Sequence, residues 1–208
     1  MVDIENHIKI FFDKLELENN INFLDLFYKS AQATDTSNDF SNNATYKRLM
    51  KALFLCKYFI YASKLEGDIV ECGVLRGFSS YLLMLLSKKL NNNIMKKFFY
   101  LIDSFEGLSE ILPADNPSDS NVHQHREGDL KANSRDVKNL FLNFQNVKIL
   151  RGWIPKVFDK INLNNQYCFV HLDVDLYKPT MDSLNYFYDK VVQGGLIITD
   201  DYLSEFFP

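Results

Sequence analysis

Cysteine is scarce in this sequence of 208 residues, and its three cysteines form no motif. Cys56, Cys72 and Cys168 lie far apart within apolar stretches, with no C-x-x-C pair and no even number that would build a disulfide framework. Such isolated cysteines are typical of buried, reduced thiols. The pattern therefore favours an intracellular, cytoplasmic protein.

Long apolar runs are also absent. None approaches the roughly 18 residues that a membrane-spanning helix needs, so we expect no membrane partner. Residues 1–5 carry two acids and no basic side chain where a secretory signal would carry a basic segment, so we expect no signal peptide either.

Basic residues form no block in the sequence. The 23 Lys and Arg are outnumbered by 27 Asp and Glu, and the net charge is −4. Because nucleic-acid binding relies on clustered cations that contact phosphates, we exclude nucleic acid as the main partner. Hydrophobic residues make up 47% of the sequence and charged residues 24%, which is enough apolar material to fold one domain around a core.

The hydrophobic pattern changes near residue 66. Before it, apolar residues recur at helical spacing, most clearly from Thr45 to Lys64. After it, short apolar runs at 69–72, 98–103, 147–150, 168–173 and 196–200 alternate with helical segments near 79–90, 135–144 and 180–192. This alternation predicts an α/β fold, with a parallel sheet covered by helices on both faces. We therefore predict a helical N-terminal cap over residues 1–66 and a core over 67–208.

The fifth apolar run lies close to the end of the sequence. Little chain follows Asp201 to cover the outer edge of this strand, and an exposed strand edge invites pairing with another chain. We expect either a homo-oligomer formed through this edge or a chain cut short of its final strands, and we favour the second.

Acidic residues lie at the ends of four of the five predicted strands. They are Glu71, Asp103, Asp173 with Asp175, and Asp200 with Asp201. In open α/β sheets, ligands bind beyond the carboxyl ends of the strands, where the strand order reverses. Acids also begin loops and cap helices, but a whole set at these positions predicts a ligand site.

The segment from Glu71 to Ser79 predicts a strand, a turn and a helix. Gly73 would let a ligand approach the backbone, and Gly77 would let the turn pack tightly. The spacing E-x-G-x-x-x-G is not the dinucleotide fingerprint, and no Gly-Lys-Ser/Thr is present to form a P-loop. Asp103, after the second strand, would accept hydrogen bonds from ribose hydroxyls. Together with Glu71 it predicts a nucleoside ligand.

Four carboxylates fall at the ends of the last two predicted strands. Asp173 and Asp175 share one side of an extended chain, and Asp200 and Asp201 follow the next strand. Carboxylates this close would repel one another without a cation, and oxygen ligands suit Mg²⁺ or another hard divalent cation. The alternative is that these acids lie at the N-termini of helices, where the helix dipole stabilises their negative charge.

In these motifs the sequence resembles the macrocin O-methyltransferase (TylF-like) family of S-adenosylmethionine-dependent sugar O-methyltransferases. The resemblance covers roughly residues 67–202. It lies in GDIVECGVLRG at 67–77, DSFEGL at 103–108, RGW at 151–153, LDVDLY at 172–177 with Thr180, and the GG and DDY segments at 194–195 and 200–202. The family continues past DDY into two further strands that this sequence lacks.

This resemblance implies a class I methyltransferase fold, which is Rossmann-like, and a set of site residues. The implied S-adenosylmethionine contacts are Glu71, Gly73, Gly77, Ser79, Asp103, Ser104, Gly152 and Trp153. Asp173, Asp200 and Asp201 are the implied ligands of a divalent cation, and Asp175 is the implied general base. The implied acceptor is a hydroxyl of a sugar or glycosylated small molecule.

The chemistry of sugar methylation agrees with these roles. A bound divalent cation lowers the pKa of a sugar hydroxyl, and a nearby carboxylate can take the proton as the oxygen attacks the sulfonium methyl. His123 lies in the irregular segment 107–129, which we interpret as a lid, and is a second candidate base. His171, inside an apolar strand, is interpreted as a core histidine.

Two other interpretations stay open at this stage. The D-x-D segment 173–175 after an apolar strand also matches the metal motif of nucleotide-sugar glycosyltransferases, although that interpretation explains neither Glu71 nor the acidic pair 200–201. The other alternative is a non-catalytic domain that binds a nucleoside or a partner chain.

Overall fold

The structure is a computed structural model, and it describes residues 16–36, 42–90, 93–115 and 125–200. Two residues predicted for the site, His123 and Asp201, lie outside these ranges. Within the ranges, no helix is long and apolar enough to cross a membrane.

The described part of the N-terminal region begins with a small hairpin and continues with two helices. Its elements are β1 (Glu16–Leu17), β2 (Ile21–Asn22), α1 (Phe23–Ala33) and α2 (Asn42–Ala62). The two short strands pair antiparallel, and Asn20 between them has a left-handed backbone with a φ of 57°. Asn22 caps α1, because its side chain accepts a hydrogen bond from the backbone N–H of Asp25 at 2.8 Å.

Five parallel strands form the central sheet, as the apolar runs predict. They are β3 (Asp68–Cys72), β4 (Phe99–Asp103), β5 (Val147–Arg151), β6 (Tyr167–Leu172) and β7 (Val191–Thr199). Their order across the sheet is β5-β4-β3-β6-β7, so β5 and β7 form the two edges. The order reverses between β3 and β6, which is where an open α/β sheet binds its ligands.

Helices cover both faces of this sheet. They are α3 (Phe78–Lys89), α4 (Ser134–Leu140) and α5 (Tyr177–Phe187), together with α1 and α2. Ile69, Phe99 and Phe169 belong to a hydrophobic cluster shared with α1 to α4, whereas Val70 and Val170 belong to a second cluster, shared with α5. Neighbouring residues of one strand thus pack on opposite faces, so both sides of each strand must be apolar.

The main difference from the sequence prediction concerns the last helix and strand. The helix predicted over 180–192 spans Tyr177–Phe187, and β7 begins at Val191 instead of 196. Tyr167 of β6 pairs with Val191, and Phe169 pairs with Leu196, so β7 holds extra residues between these two pairs. Gly194, with a φ of +82°, provides the bend that this irregularity requires.

Candidate active site

A cavity of about 830 Å³ opens at the carboxyl ends of the sheet strands. Its size falls within the range of about 300–1,000 Å³ that is usual for small-molecule sites. The predicted site residues that line it are Gly73, Ser79, Asp103, Ser104, Gly152, Trp153, Asp173, Asp175 and Asp200. Glu71 and Gly77 are not part of the lining. Four of the acids at the strand ends, Asp103, Asp173, Asp175 and Asp200, therefore meet at one cavity, whereas Glu71 lies outside its lining.

Asp103, at the end of β4, holds the loop that follows β3. Its Oδ2 accepts hydrogen bonds from the backbone N–H groups of Val74 and Leu75, at 2.7 and 2.8 Å. Its Oδ1 accepts a third from the N–H of Phe105 at 2.6 Å. Each carboxylate oxygen has two lone pairs, so Oδ1 retains one acceptor position whereas Oδ2 has used both.

Gly73 and Gly77 are required by packing within the protein. Gly73 has a φ of +85°, and a Cβ there would lie only 1.6 Å from the carbonyl oxygen of Asp173. Gly77, with a φ of +88°, faces Leu140 and Phe141, which would lie 3.2 Å from an added Cβ. The close approach to Gly73 thus comes from the end of the neighbouring strand β6, which the sequence alone does not reveal.

Glu71 lies behind the cavity wall in a buried hydrogen-bonded cluster. Its Oε1 accepts a hydrogen bond from the hydroxyl of Ser79 and lies 2.9 Å from Nδ1 of His171. Its Oε2 is buried and has no hydrogen-bond partner among the residues described. Burial lowers the pKa of His171, but the hydrogen bond and charge of Glu71, with the charges of Asp173 and Asp200, outweigh burial and raise it above its ordinary value.

His171 was not among the predicted site residues, yet it lines the cavity. Its interpretation as a core histidine fits its burial, since only 3% of its surface is exposed. Its position in β6 is directly opposite Glu71 in β3, which explains their contact. The two residues meet because of the register in which the two parallel strands pair, and this register cannot be predicted from a single sequence.

The loops after β4 and β5 form the next part of the wall. The N–H of Gly152 donates to the backbone oxygen of Asp103 at 2.9 Å, which joins the two strand ends. The hydroxyl of Ser104 is used within its own turn, where it accepts from the N–H of Glu106 at 3.0 Å. The ring of Trp153 remains 40% exposed at the cavity, so it presents a flat apolar surface there.

Asp173, Asp175 and Asp200 form the opposite half of the cavity. Asp175 has a left-handed backbone with a φ of +58°, in the short link between β6 and α5. Asp200 forms an ion pair with Nζ of Lys51 on α2. In the described ranges, no three His, Cys, Asp or Glu side chains come close enough to hold a metal ion. The structure thus brings Asp173 and Asp200 to one cavity, and the metal site predicted for them together with Asp201 stays a prediction.

The segment 107–129, interpreted as a lid, is held by hydrogen bonds at its base and at Asp115. Two hydrogen bonds close its base. The N–H of Leu108 donates to the backbone oxygen of Asp129 at 2.8 Å, and the N–H of Gly128 donates to the backbone oxygen of Leu108 at 2.9 Å. Further along, Oδ1 of the buried Asp115 accepts from the N–H of Tyr177, the first residue of α5, at 2.6 Å. This bond satisfies a donor at the start of α5 that no helical carbonyl can reach.

Helix α2 forms a wall of the cavity that the sequence pattern does not assign to the site. Lys47, Arg48, Lys51, Phe54 and Tyr58 are exposed and line the cavity. They recur at helical spacing on the side of α2 away from the buried core positions. This stripe of cations and aromatic rings can be recognised in the sequence, but on its own it is equally typical of an ordinary solvent-exposed helix face.

The chain matches the family model of macrocin O-methyltransferase (TylF) over residues 4–206. Two curated relatives are each 28% identical to it. One is demethyldecarbamoylnovobiocin O-methyltransferase of Streptomyces niveus, over 153 residues, and the other is 8-demethyl-8-(2,3-dimethoxy-alpha-L-rhamnosyl)-tetracenomycin-C 4'-O-methyltransferase of Streptomyces olivaceus, over 152 residues. Each alignment covers 71% of this chain and 57% of the relative, so the chain spans less than two thirds of the length of these proteins.

Among solved structures, the calicheamicin methyltransferase CalS11 is similar, with a TM-score of 0.65. The similarity covers 89% of this chain and 80% of that structure at 15% identity, and at this identity it bears on the fold alone. It confirms the predicted class I, Rossmann-like fold. The match over residues 4–206 shows that this chain belongs to the macrocin O-methyltransferase (TylF) family.

Proposed function

We propose that this chain transfers a methyl group from S-adenosylmethionine to a hydroxyl of a sugar or glycosylated small molecule. The observation that carries the proposal is the single cavity at the strand ends, which joins the Gly73 loop, Asp103 and Trp153 to a second half that contains Asp175. Membership of the family supports it, and both curated relatives carry the name O-methyltransferase.

The first half of the cavity fits S-adenosylmethionine, which supplies an electrophilic methyl group on a positively charged sulfur when bound. The buried Oε2 of Glu71, which has no partner among the described residues, gives this half unused acceptor capacity and negative charge. We assign Gly73 and Ser79 to the methionine part, with Glu71 and Gly77 positioning them from behind. This division follows the cavity lining, to which Ser79 belongs and Glu71 does not.

The remaining cofactor contacts follow the walls of the same half. Asp103 would accept a ribose hydroxyl at Oδ1, because both lone pairs of its Oδ2 are already used by backbone N–H groups. Ser104 would contribute its backbone there, since its hydroxyl is engaged in its own turn. Gly152 and Trp153 would face the adenine, with the exposed indole ring available for stacking.

Asp175 is the group that we assign to the proton. As the acceptor oxygen forms a bond to the methyl carbon, the bond between that carbon and sulfur breaks, and the hydroxyl proton passes to the carboxylate of Asp175. Asp175 lines the cavity on a link fixed between β6 and α5, so its carboxylate can be held beside the acceptor. His123 remains the second candidate base, from the sequence alone.

We propose that Asp173, Asp200 and Asp201 hold Mg²⁺ or another hard divalent cation that orients the acceptor. The support is the oxygen-only donor set and the meeting of Asp173 and Asp200 at one cavity. Asp173→Asn should weaken Mn²⁺ binding in calorimetry and remove the metal dependence of turnover together with activity. Full activity of this variant, or of the wild type after chelation, would indicate a mechanism without a metal.

The central experiment measures the binding of S-adenosylhomocysteine and the turnover of S-adenosylmethionine with glycosylated acceptors. We expect binding in calorimetry, and no binding at millimolar ligand would contradict the proposal. Asp175→Asn should keep this binding and lower turnover by about 10²–10⁴-fold, the usual contribution of a general base. Asp189→Asn, which changes an exposed acid outside the cavity, is the matched control.

Three sequence-based predictions stay proposals. They are the division into a cap over 1–66 and a core over 67–208, a cytoplasmic location, and self-association through the sheet edge formed by the last strand. The position of β7 at one edge supports the last of these. Light scattering over a range of protein concentrations would test it, and a concentration-independent monomer mass would contradict it.

A further inference from the structure

Asp175, the residue that we assign to the proton, lies at the centre of a tight turn. The N–H of Leu176 donates to the backbone oxygen of Val174 at 2.6 Å, and Asp175 between them has a φ of +58°. These two features define a γ-turn with a positive φ, which is the rarer and more strained form of this turn. A strained backbone persists only where the structure around it holds it in place. The position of the Asp175 carboxylate in the cavity therefore depends on what fixes the chain on each side of the turn.

The sheet fixes the chain before the turn, whereas the chain after the turn enters α5. Before the turn, the N–H of Asp173 donates to the backbone oxygen of Cys72 at 2.9 Å. After the turn, α5 begins behind Leu176, whose apolar side chain cannot cap the helix. The first N–H groups of a helix have no helical carbonyl within reach. The start of α5 thus needs an acceptor from another part of the chain.

Asp115 supplies this acceptor from a segment 62 residues away along the chain. Its Oδ1 accepts a hydrogen bond from the N–H of Tyr177 at 2.6 Å, and its Oδ2 accepts one from the N–H of Leu112 at 2.7 Å. Asp115 is buried, and it is not part of the cavity lining. Its negative charge also suits the N-terminus of α5. One buried carboxylate thus joins the segment 107–115, whose first residues line the cavity, to the residue two positions after Asp175.

We infer that Asp115 is a positioning residue for methyl transfer, which holds the start of α5 and thereby keeps the carboxylate of Asp175 beside the acceptor hydroxyl. This inference rests on the proposed function and names a residue that acts through Asp175 without touching the substrate. Without the bond to Tyr177, the strained turn can relax and the carboxylate of Asp175 can move. Because a displacement of about 1 Å can cost about 10²-fold in rate, the loss should appear in turnover and not in cofactor binding.

Kinetics of the full chain with S-adenosylmethionine labelled in its methyl group and a glycosylated acceptor test the inference. Asp115→Ala should lower kcat by about 10- to 100-fold and change KM for S-adenosylmethionine by less than about twofold. Tyr177→Pro removes the same bond from the donor side, and Leu176, with φ −101° and ψ 147°, has the backbone that a following proline favours. It should lower kcat by the same factor, as should the two substitutions combined. Asn22→Ala, which removes the cap of α1 outside the cavity lining, is the control and should leave kcat unchanged.

A double-mutant cycle with Asp175→Asn separates positioning from a general loss of stability. Asparagine cannot take the proton, so Asp115→Ala should change the residual turnover of Asp175→Asn by less than about twofold. A reduction by the full factor seen in the wild type would overturn the inference. Wild-type kcat in Asp115→Ala or Tyr177→Pro would overturn it too, as would an equal loss in Asn22→Ala. These results leave the proposed function intact, whereas wild-type turnover of Asp175→Asn, or failure of S-adenosylhomocysteine to bind, would contradict the proposed function itself.

Discussion

Alanine in place of Gly73 should destabilise the protein strongly, because its methyl group would overlap the end of β6. The added Cβ would lie 1.6 Å from the carbonyl oxygen of Asp173 and 2.5 Å from the carbonyl carbon, where ordinary van der Waals contact begins near 3.4 Å. Both obstacles are backbone atoms, so no side-chain rotation can relieve the overlap. The turn after β3 or the end of β6 must move.

Two costs combine in this variant. A left-handed backbone costs a residue other than glycine about 1–2 kcal/mol. Relief of the overlap should also break the hydrogen bonds from Gly73 N–H to Ile102 and from Asp173 N–H to Cys72, both 2.9 Å long and each worth about 1 kcal/mol. We therefore expect the free energy of unfolding to fall by about 3–4 kcal/mol.

Gly128→Ala provides the matched control. Gly128 has nearly the same backbone, with a φ of +82° against +85°, but an added Cβ there meets nothing within 4 Å. This variant should show the backbone cost alone, and the two variants should differ by about 2 kcal/mol in urea unfolding followed by circular dichroism. Equal losses in the two variants would refute the overlap as the reason for glycine at position 73.

Three further predictions concern side chains around the cavity. Ser79→Ala should lower the free energy of unfolding by about 1.5–3 kcal/mol in urea unfolding, because it removes a hydroxyl that donates to the buried carboxylate of Glu71. Ser80→Ala should leave that free energy unchanged or raise it, because the buried Ser80 hydroxyl has no hydrogen-bond partner in the part of the chain described. The pKa of His171 is raised in the folded state, so its stabilising contribution should be complete below pH 6.5 and lost as the pH rises through that raised pKa. Urea unfolding across this pH range should show the decline in the wild type but not in His171→Gln. Lys51→Gln should bind Mn²⁺ more tightly than the wild type in calorimetry, since it removes the cation that occupies the carboxylate at the end of β7.

Each of these predictions has a result that contradicts it. Equal effects of the two serine substitutions would mean that the hydrogen bond to Glu71 adds nothing to stability. A decline with pH that persists in His171→Gln would assign the titration to another group. An unchanged affinity of Lys51→Gln for Mn²⁺ would show that the ion pair of Lys51 does not compete with a divalent cation.

The strands and the residues at their ends were predictable from the sequence because both follow from local patterns. A parallel strand buried on both faces must be a nearly continuous apolar run, and Phe99 to Ile102 is an example. Parallel strands also end at the same edge of the sheet, so Asp103, Asp173 and Asp200 had to meet once the alternation of strands and helices was recognised.

The contacts that define each role depend on distant chain segments, and these were not predictable. The sequence predicts that Gly73 lets a ligand approach the backbone, but it does not reveal that the carbonyl of Asp173, a hundred residues along the chain, also lies against this position. The sequence predicts that Asp103 accepts ribose hydroxyls, but it does not reveal that this carboxylate also accepts three hydrogen bonds from backbone N–H groups. Asp115, which binds the start of α5, was missed because nothing local marks an acid for that distant role.

Helix α2 also limits how the cavity can change the ligand that it binds. Its inner side places Phe59 against Phe99 and Phe169, at centroid distances of 6.0 and 5.5 Å, while its other side lines the cavity. Mutations on the cavity side, such as at Phe54 or Tyr58, leave the interior packing intact. Evolution or protein engineering can therefore vary the cavity wall through the few exposed positions of this helix, whereas exchange of the entire helix would require the interior to be rebuilt as well.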